Sequence, residues 1–384
     1  MTTPTLAVGA RRAAVALTLA LAACASGDGI KRAKPLPLER VPKALAEAEA
    51  TLEQGPAAPL RALEKAVDEL RSARVTPLVD RELSRRVQVA LERAAADLVE
   101  RAEDPDTLKD LIETELPMRF AAAAGVRAAE LELEDGERMA AFKTIRALDR
   151  RYPTHTQRDA AGELLARAGF SLADDRGRYL LFFRYRSLAP QVLEYLALEY
   201  PSHPQADDAL ARLAEIYEGR RLWSDAIAKH QELVLWAPDS PFRIESEADI
   251  PRLRLAALRR PDVARDNLLQ ARDELVRWLS SHPGHPLTPD VERHLVDARQ
   301  RLADNDLTVA RFYLTTASAQ GVRFHALRAE AEARLAGNPE QVAEAEALLA
   351  KAVTIPAPVP VEGAGASEAP REPRGDIFGE RGGS

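Results

Sequence analysis

The sequence predicts an all-α fold, on three observations. Alanine, leucine, arginine and glutamate dominate the composition and β-branched residues are sparse, a balance that favours helix. Apolar residues recur at helical spacing, as at Val41, Leu45, Ala48 and Leu52, and no stretch alternates at period two between turn signals. Four segments of similar pattern each end at a proline, which is typical of helical hairpins that stack.

The first 23 residues have the pattern of an export signal. Arg11 and Arg12 precede an apolar run over residues 13–23. A helix of that length reaches only about 16 Å, whereas a hydrocarbon core is about 30 Å thick. A basic start, a short apolar run and small residues at its end indicate a signal peptide over residues 1–23.

The only cysteine of the chain directly follows this run. Leu21, Ala22, Ala23 and Cys24 resemble a bacterial lipobox, which implies that Cys24 is acylated and becomes the first residue of the mature protein. The alternative is a buried free cysteine, but the glycines and prolines that follow disfavour a core there. Because Ala25 and not aspartate comes next, the resemblance implies lipid anchoring in the outer membrane, on its periplasmic side.

Breaks in the helical pattern divide the rest of the chain. Residues 24–38 are expected to be the acylated cysteine and a flexible tether, and residues 39–135 an N-terminal helical region. Residues 136–353 contain the four proline-ended segments. Residues 354–384 are rich in Pro, Gly, Ala and Glu and cannot bury enough apolar surface to fold, so this tail is expected to be disordered.

The four segments share one spacing. An alanine precedes a proline by twelve residues: Ala141 and Pro153, Ala189 and Pro201, Ala226 and Pro238, Ala271 and Pro283. A small residue lets two helices of a hairpin touch, and the proline ends the helix. Eight and five residues before the prolines stand mostly apolar side chains on one helix face: Ile145 and Leu148, Leu193 and Leu196, His230 and Leu233, Leu275 and Trp278.

This spacing resembles the second helix of a tetratricopeptide repeat. The first helix of such a repeat is matched once, by Leu210, Leu213, Ala214 and Tyr217 before Ala226. The prolines are 48, 37 and 45 residues apart, so the repeats are degenerate. The resemblance implies a right-handed solenoid of stacked helical hairpins; the alternative is an irregular helical bundle with chance spacing.

Lipobox, tether and irregular repeats together resemble the BamD family, the lipoprotein subunits of the outer-membrane β-barrel assembly machine. "EYPSHPQADDALARLAEIY" and "RRYPTHTQRDAAGELLARA" carry the Tyr-Pro turn of that family, followed by a helix with an Asp-Ala start. In "RLADNDLTVARFYL" the resemblance implies that one helix ends and another begins, with Val309, Ala310 and Tyr313 on its face. The resemblance covers about residues 137–335.

The resemblance implies a lipid-anchored periplasmic scaffold that binds proteins and contributes to β-barrel assembly. Its partners would be assembly subunits or unfolded outer-membrane proteins, and its contact with the membrane would be the lipid anchor. The alternative is a repeat-type envelope lipoprotein that coordinates peptidoglycan or other envelope complexes. The net charge of −7, with both signs mixed along the chain, argues against nucleic acid as a partner.

Signals of catalysis are absent from the sequence. It has no G-x-S-x-G, H-E-x-x-H, phosphate-binding loop or dinucleotide fingerprint, so we expect no enzyme, no cofactor and no metal. His282 and His285 could pair on zinc only with further ligands, and turn histidines beside proline are usually solvated. The aspartates at 174–175 and around Asn305 are interpreted as helix caps and turns.

Two places are candidates for a peptide groove. In "GRYLLFFRYRSL", Arg184 and Tyr185 could contact a peptide, and the arginine could bind a carboxylate of that peptide. The alternative is that Phe182 and Phe183 are core residues in the first helix of a hairpin, with the arginines outside. Trp223 is equally open to two interpretations, a contact at the start of a hairpin or a lining residue of the groove.

Overall fold

The structure, a computed structural model, describes residues 34–73, 75–113, 116–178, 184–258 and 265–356. This part of the chain contains fifteen α-helices and no β-strand, so the predicted all-α class is confirmed. None of the described helices is long and apolar enough to span a membrane. Contacts between Cα atoms divide the chain into unit 1, residues 1–247, and unit 2, residues 248–384.

The helices follow one another through short connections. The N-terminal region contains α1 (Val41–Glu53), α2 (Leu60–Ser72), α3 (Arg81–Arg101), α4 (Pro105–Glu113) and α5 (Met118–Glu134). The next are α6 (Arg138–Arg151), α7 (Arg158–Asp174), α8 (Ala189–Glu199), α9 (Ala206–Gly219), α10 (Trp223–Trp236) and α11 (Arg243–Ala257). The last are α12 (Arg265–Ser281), α13 (Thr288–Thr315), α14 (Ala319–Leu335) and α15 (Pro339–Thr354).

Local sequence sets the ends of the N-terminal helices. Asp80 caps α3, because its Oδ1 accepts the N–H of Leu83 at 2.9 Å. Asp104 caps α4 in the same way, accepting the N–H of Thr107 at 3.0 Å. Gly136, after α5, has φ +80°, a left-handed conformation that favours glycine. The turn at the predicted boundary between residues 135 and 136 thus has a local cause, while that division into domains stays a prediction.

Two large apolar clusters lie in the described part of unit 1, beside a small one around Ile112, Ala122 and Leu148. One joins α1 to α5, and the predicted stripe on α1 lies fully within it. The other joins α5 to α10 around Phe142, Leu165 and Leu193. Small residues let the helices of this second cluster approach closely: a Cβ added at Gly169 on α7 would lie 2.6 Å from Leu193 on α8. Helices adjacent in sequence pack on each other from α5 to α10.

One expectation from the family resemblance is wrong in unit 2. The segment 301–314 holds no helix boundary, because α13 runs without interruption from Thr288 to Thr315. Asn305 and Asp306 are therefore not caps but buried side chains in the middle of a helix. Asp306 accepts a hydrogen bond from His325 Nδ1 on α14 at 2.8 Å and pairs with Arg265 Nη2 at 2.8 Å. These tertiary contacts offset the low helix propensity of aspartate.

Candidate polypeptide-binding groove

The four predicted prolines occupy turns of one design, here called turns 1 to 4. A helix ends two residues before each proline, and the next helix begins five residues after it. In every turn the N–H before the proline donates to the carbonyl four residues back, which closes the helix. The prolines of turns 1 to 4 are Pro153, Pro201, Pro238 and Pro283.

A side chain two residues after each proline caps the turn. It accepts the N–H two residues further on, at 3.1–3.2 Å: His155 from Gln157, His203 from Gln205, Ser240 from Phe242 and His285 from Leu287. The acceptor in the three histidines is Nδ1. His282 and His285, which were expected to be solvated, are half-buried, and His155 is only 2% exposed. The signal, P-x-H or P-x-S after each helix, was present in the sequence.

The repeat-defining alanines are buried without exception. Ala141, Ala189, Ala226 and Ala271 have no exposed surface. The residues eight and five before each proline are buried as well, and His230 among them hydrogen-bonds Ser246 through Nδ1 at 2.9 Å. Whether these hairpins form a solenoid of tetratricopeptide repeats stays a prediction.

A buried carboxylate joins turn 1 to turn 2. Asp149, on α6, is 6% exposed and accepts hydrogen bonds from His155 Nε2 at 2.9 Å and from the hydroxyls of Tyr195 and Tyr200 at 2.7–2.9 Å. Arg158 Nη1 lies 3.6 Å from Oδ1. We call these five residues the Asp149 cluster. Burial would raise the pKa of Asp149, but the hydrogen bonds from His155, Tyr200 and Tyr195 outweigh it and lower that pKa overall.

Arg158 fills the space between turns 1 and 2. Its guanidinium carbon lies 4.1 Å from the centroid of the Tyr200 ring, a cation–π geometry. Nη1 donates to the carbonyl of Pro153 at 2.9 Å, and Nη2 donates to the carbonyl of Glu199, the last residue of α8.

An open cleft of about 490 Å³ lies between turns 2 and 3. Three alanines line it, together with an exposed indole and two carboxylates: Ala197, Ala206, Ala237, Trp236, Asp207 and Asp239. We call it the alanine cleft. Trp236 is 56% exposed. The described lining also includes His203, and no lysine or arginine is among it.

The three predicted groove residues lie outside the lining of the alanine cleft. Arg184 is exposed. Tyr185, at the start of a short 3₁₀ helix, packs on the core. The guanidinium carbon of Arg138 lies 4.7 Å from the centroid of the Tyr185 ring. Trp223 is the first residue of α10 and half-buried. None of the three lines the alanine cleft.

The interpretation of Phe182 and Phe183 as helix core residues stays a prediction. Arg178 and Arg184 flank residues 179–183, which include Phe182 and Phe183 and lie outside the described residues. The described flanks are not α-helical: Arg178 and Arg184 form an isolated antiparallel bridge, and the N–H of Tyr185 donates to the carbonyl of Gly177 at 3.2 Å.

The remaining predicted sites concern the lipid anchor and zinc. Leu21, Ala22, Ala23 and Cys24 lie outside the described residues, as does the tail from residue 357. In turn 4 the His282 and His285 rings pack around Trp278, with centroids 4.9 and 5.4 Å from its ring. The described part of the chain holds no group of three or more potential metal ligands.

Comparison with known proteins finds neither a family model nor a curated protein that matches this chain.

Proposed function

We propose that this chain is a lipid-anchored scaffold that binds polypeptide segments on the periplasmic face of the outer membrane. The observation that carries the proposal is the alanine cleft, an unfilled space with an exposed indole between two proline turns. Helical repeats commonly bind peptides in grooves between adjacent hairpins. The right-handed solenoid is part of the proposal, and the packing of sequence-adjacent helices supports it.

The proposed process is the assembly of outer-membrane β-barrel proteins, in a role like that of BamD. Support comes from the lipobox-like residues ending at Cys24 and from the four proline turns after alanine-containing helices. A scaffold of this kind acts by binding and not by bond chemistry. Its bound partners would be assembly subunits or unfolded barrel proteins.

Co-purification from envelope membranes tests the assembly role. The tagged chain, solubilised in mild detergent, is expected to retain a barrel-forming assembly subunit after washing. Recovery of peptidoglycan-associated proteins without any such subunit would contradict the assembly role and favour the alternative envelope scaffold. A tagged lipoprotein of unrelated fold serves as the control for nonspecific recovery.

The lipid anchor gives a separate prediction. Cys24→Ser removes the thiol that would carry the diacylglycerol, so the variant is expected to move from the membrane fraction to the soluble periplasm. Mass spectrometry of the wild-type chain is expected to show an acylated Cys24 at the mature N-terminus. A membrane-bound Cys24→Ser chain, or an unmodified wild-type cysteine, would contradict the anchor.

A further inference from the structure

The alanine cleft and the Asp149 cluster occupy equivalent positions relative to successive prolines. Asp149 stands four residues before Pro153, and Ala197 stands four before Pro201. In the same way Ala206 is the equivalent of Arg158, five residues after a proline. Ala237 is the equivalent of Tyr200, directly before the next proline. All three alanines line the cleft.

The cleft therefore lies where the preceding junction holds an arginine side chain. At that junction, Arg158 stacks on Tyr200 and donates to a proline carbonyl and to the last carbonyl of the next helix. Arg243, at the same place after Pro238, also donates to its proline carbonyl, at 3.3 Å. With Ala206 in this position, the carbonyl of Pro201 has no such arginine from its own turn.

The lining of the cleft supplies what a guanidinium group needs. Asp207 and Asp239 provide two carboxylates, and the exposed indole of Trp236 provides an aromatic face. The carbonyl of Trp236, the last residue of α10, is the equivalent of the Glu199 carbonyl that accepts from Arg158. A planar guanidinium can stack on an aromatic ring while it donates to carboxylates and carbonyls, which an ammonium group does less well.

We propose that the alanine cleft binds an arginine side chain of a partner polypeptide, taking the place that Arg158 holds at the preceding junction. This inference rests on the proposed function and specifies the residue type that the scaffold recognises. Leu198 on α8 and Leu235 on α10 are exposed, and each is next in sequence to a residue that lines the cleft, Ala197 and Trp236. Their exposure favours an arginine that has apolar neighbours in an extended segment.

Peptide titration followed by the indole N–H signals tests the proposal. The full chain, labelled with [¹⁵N]tryptophan, is titrated with an end-blocked Gly-Leu-Gly-Arg-Gly-Leu-Gly peptide to about 10 mM, since an isolated segment is expected to bind with a millimolar Kd. The Trp236 signal, assigned through Trp236→Phe, is expected to shift saturably, and the buried Trp278 signal to stay in place. The same peptide with citrulline, which keeps the shape but not the charge, is expected to bind at least about tenfold more weakly.

Two substitutions at the same position separate the cleft from the rest of the fold. Ala206→Arg supplies the missing guanidinium from the chain itself and is expected to abolish the shift, while Ala206→Ser leaves the cleft open and is expected to bind like the wild type. Circular dichroism checks that both variants fold. If Ala206→Arg does not fold, Asp207→Asn combined with Asp239→Asn takes its place and is expected to weaken binding by about tenfold.

Three outcomes would overturn the guanidinium site: no saturable shift of Trp236, equal shifts with the arginine and citrulline peptides, or unchanged binding by folded Ala206→Arg. None of them would affect the envelope co-purification, which tests the proposed function independently. A chain that retains envelope polypeptides but ignores the arginine peptide would overturn this inference alone.

Discussion

Replacing Asp149 with alanine is expected to lower the free energy of unfolding of unit 1 by about 3–5 kcal/mol. The substitution leaves the hydroxyls of Tyr195 and Tyr200 and the Nε2–H of His155 without their shared acceptor, and each buried, unpaired donor costs about 1–3 kcal/mol. It also removes the carboxylate that lies 3.6 Å from Arg158 Nη1. Urea denaturation followed by circular dichroism measures the loss.

Two further variants and the pH dependence make this prediction specific. Asp149→Asn keeps one acceptor oxygen and is expected to lose about half as much stability, whereas Glu134→Ala, at an exposed helix end, is expected to stay within about 0.5 kcal/mol of the wild type.

The pKa of Asp149 lies below its ordinary value of 3.8, so its ionisation stabilises the fold above pH 3.8. That stabilisation is lost as the pH falls below this value toward the folded-state pKa. The difference between wild type and Asp149→Ala should therefore shrink in strong acid, and a constant difference would contradict the ionised cluster.

Replacing Asp306 with alanine is expected to lower the free energy of unfolding of unit 2 by about 3–5 kcal/mol, because its basic partners lose the buried carboxylate that they pair with. Asp306 is fully buried, while Arg265 Nη2, His325 Nδ1 and Arg328 Nε approach it at 2.8, 2.8 and 3.6 Å. Within the described residues, Nε and Nη1 of Arg265 are already buried without a hydrogen-bond partner. The variant would thus leave the Arg265 guanidinium with few hydrogen-bond acceptors and no carboxylate at Asp306 to balance its charge.

Hydrogen–deuterium exchange locates the effect of Asp306→Ala. We expect faster exchange in peptides from α13 and α14 and unchanged exchange in α1 to α5. Glu292→Ala, an exposed acidic position on the same helix α13, is the matched control and should leave exchange unchanged. Equal exchange in the two variants would contradict a structural role for the buried carboxylate.

Patterns that are local in sequence predicted much of the fold. The stripe from Val41 to Leu52 is buried as expected, and the four helices that end near Pro153, Pro201, Pro238 and Pro283 do end there. Such features depend on the period of the helix and on the missing N–H of proline. They need no knowledge of which helices meet.

Features that depend on distant residues were missed or wrongly interpreted. Tyr195 and Tyr200 lie 46 and 51 residues from Asp149 in sequence, so no local pattern could join them. The segment around Asp306 looked like a helix boundary because aspartate and asparagine favour caps, but its buried partners keep α13 continuous. The alanine cleft was missed for a related reason, because it is defined by side chains that are small where the preceding junction has large ones.

The most direct test of the central claim is photo-crosslinking in living cells from a benzoylphenylalanine placed at Trp236. Leu78, which is 98% exposed and does not line the cleft, is the control position for random collisions. If the chain binds polypeptides at the alanine cleft, the probe at Trp236 forms discrete protein adducts that are weakened by Ala206→Arg, and the probe at Leu78 forms none of them. The same adducts from both positions, or no protein adduct at Trp236, would contradict the claim that this cleft binds polypeptide.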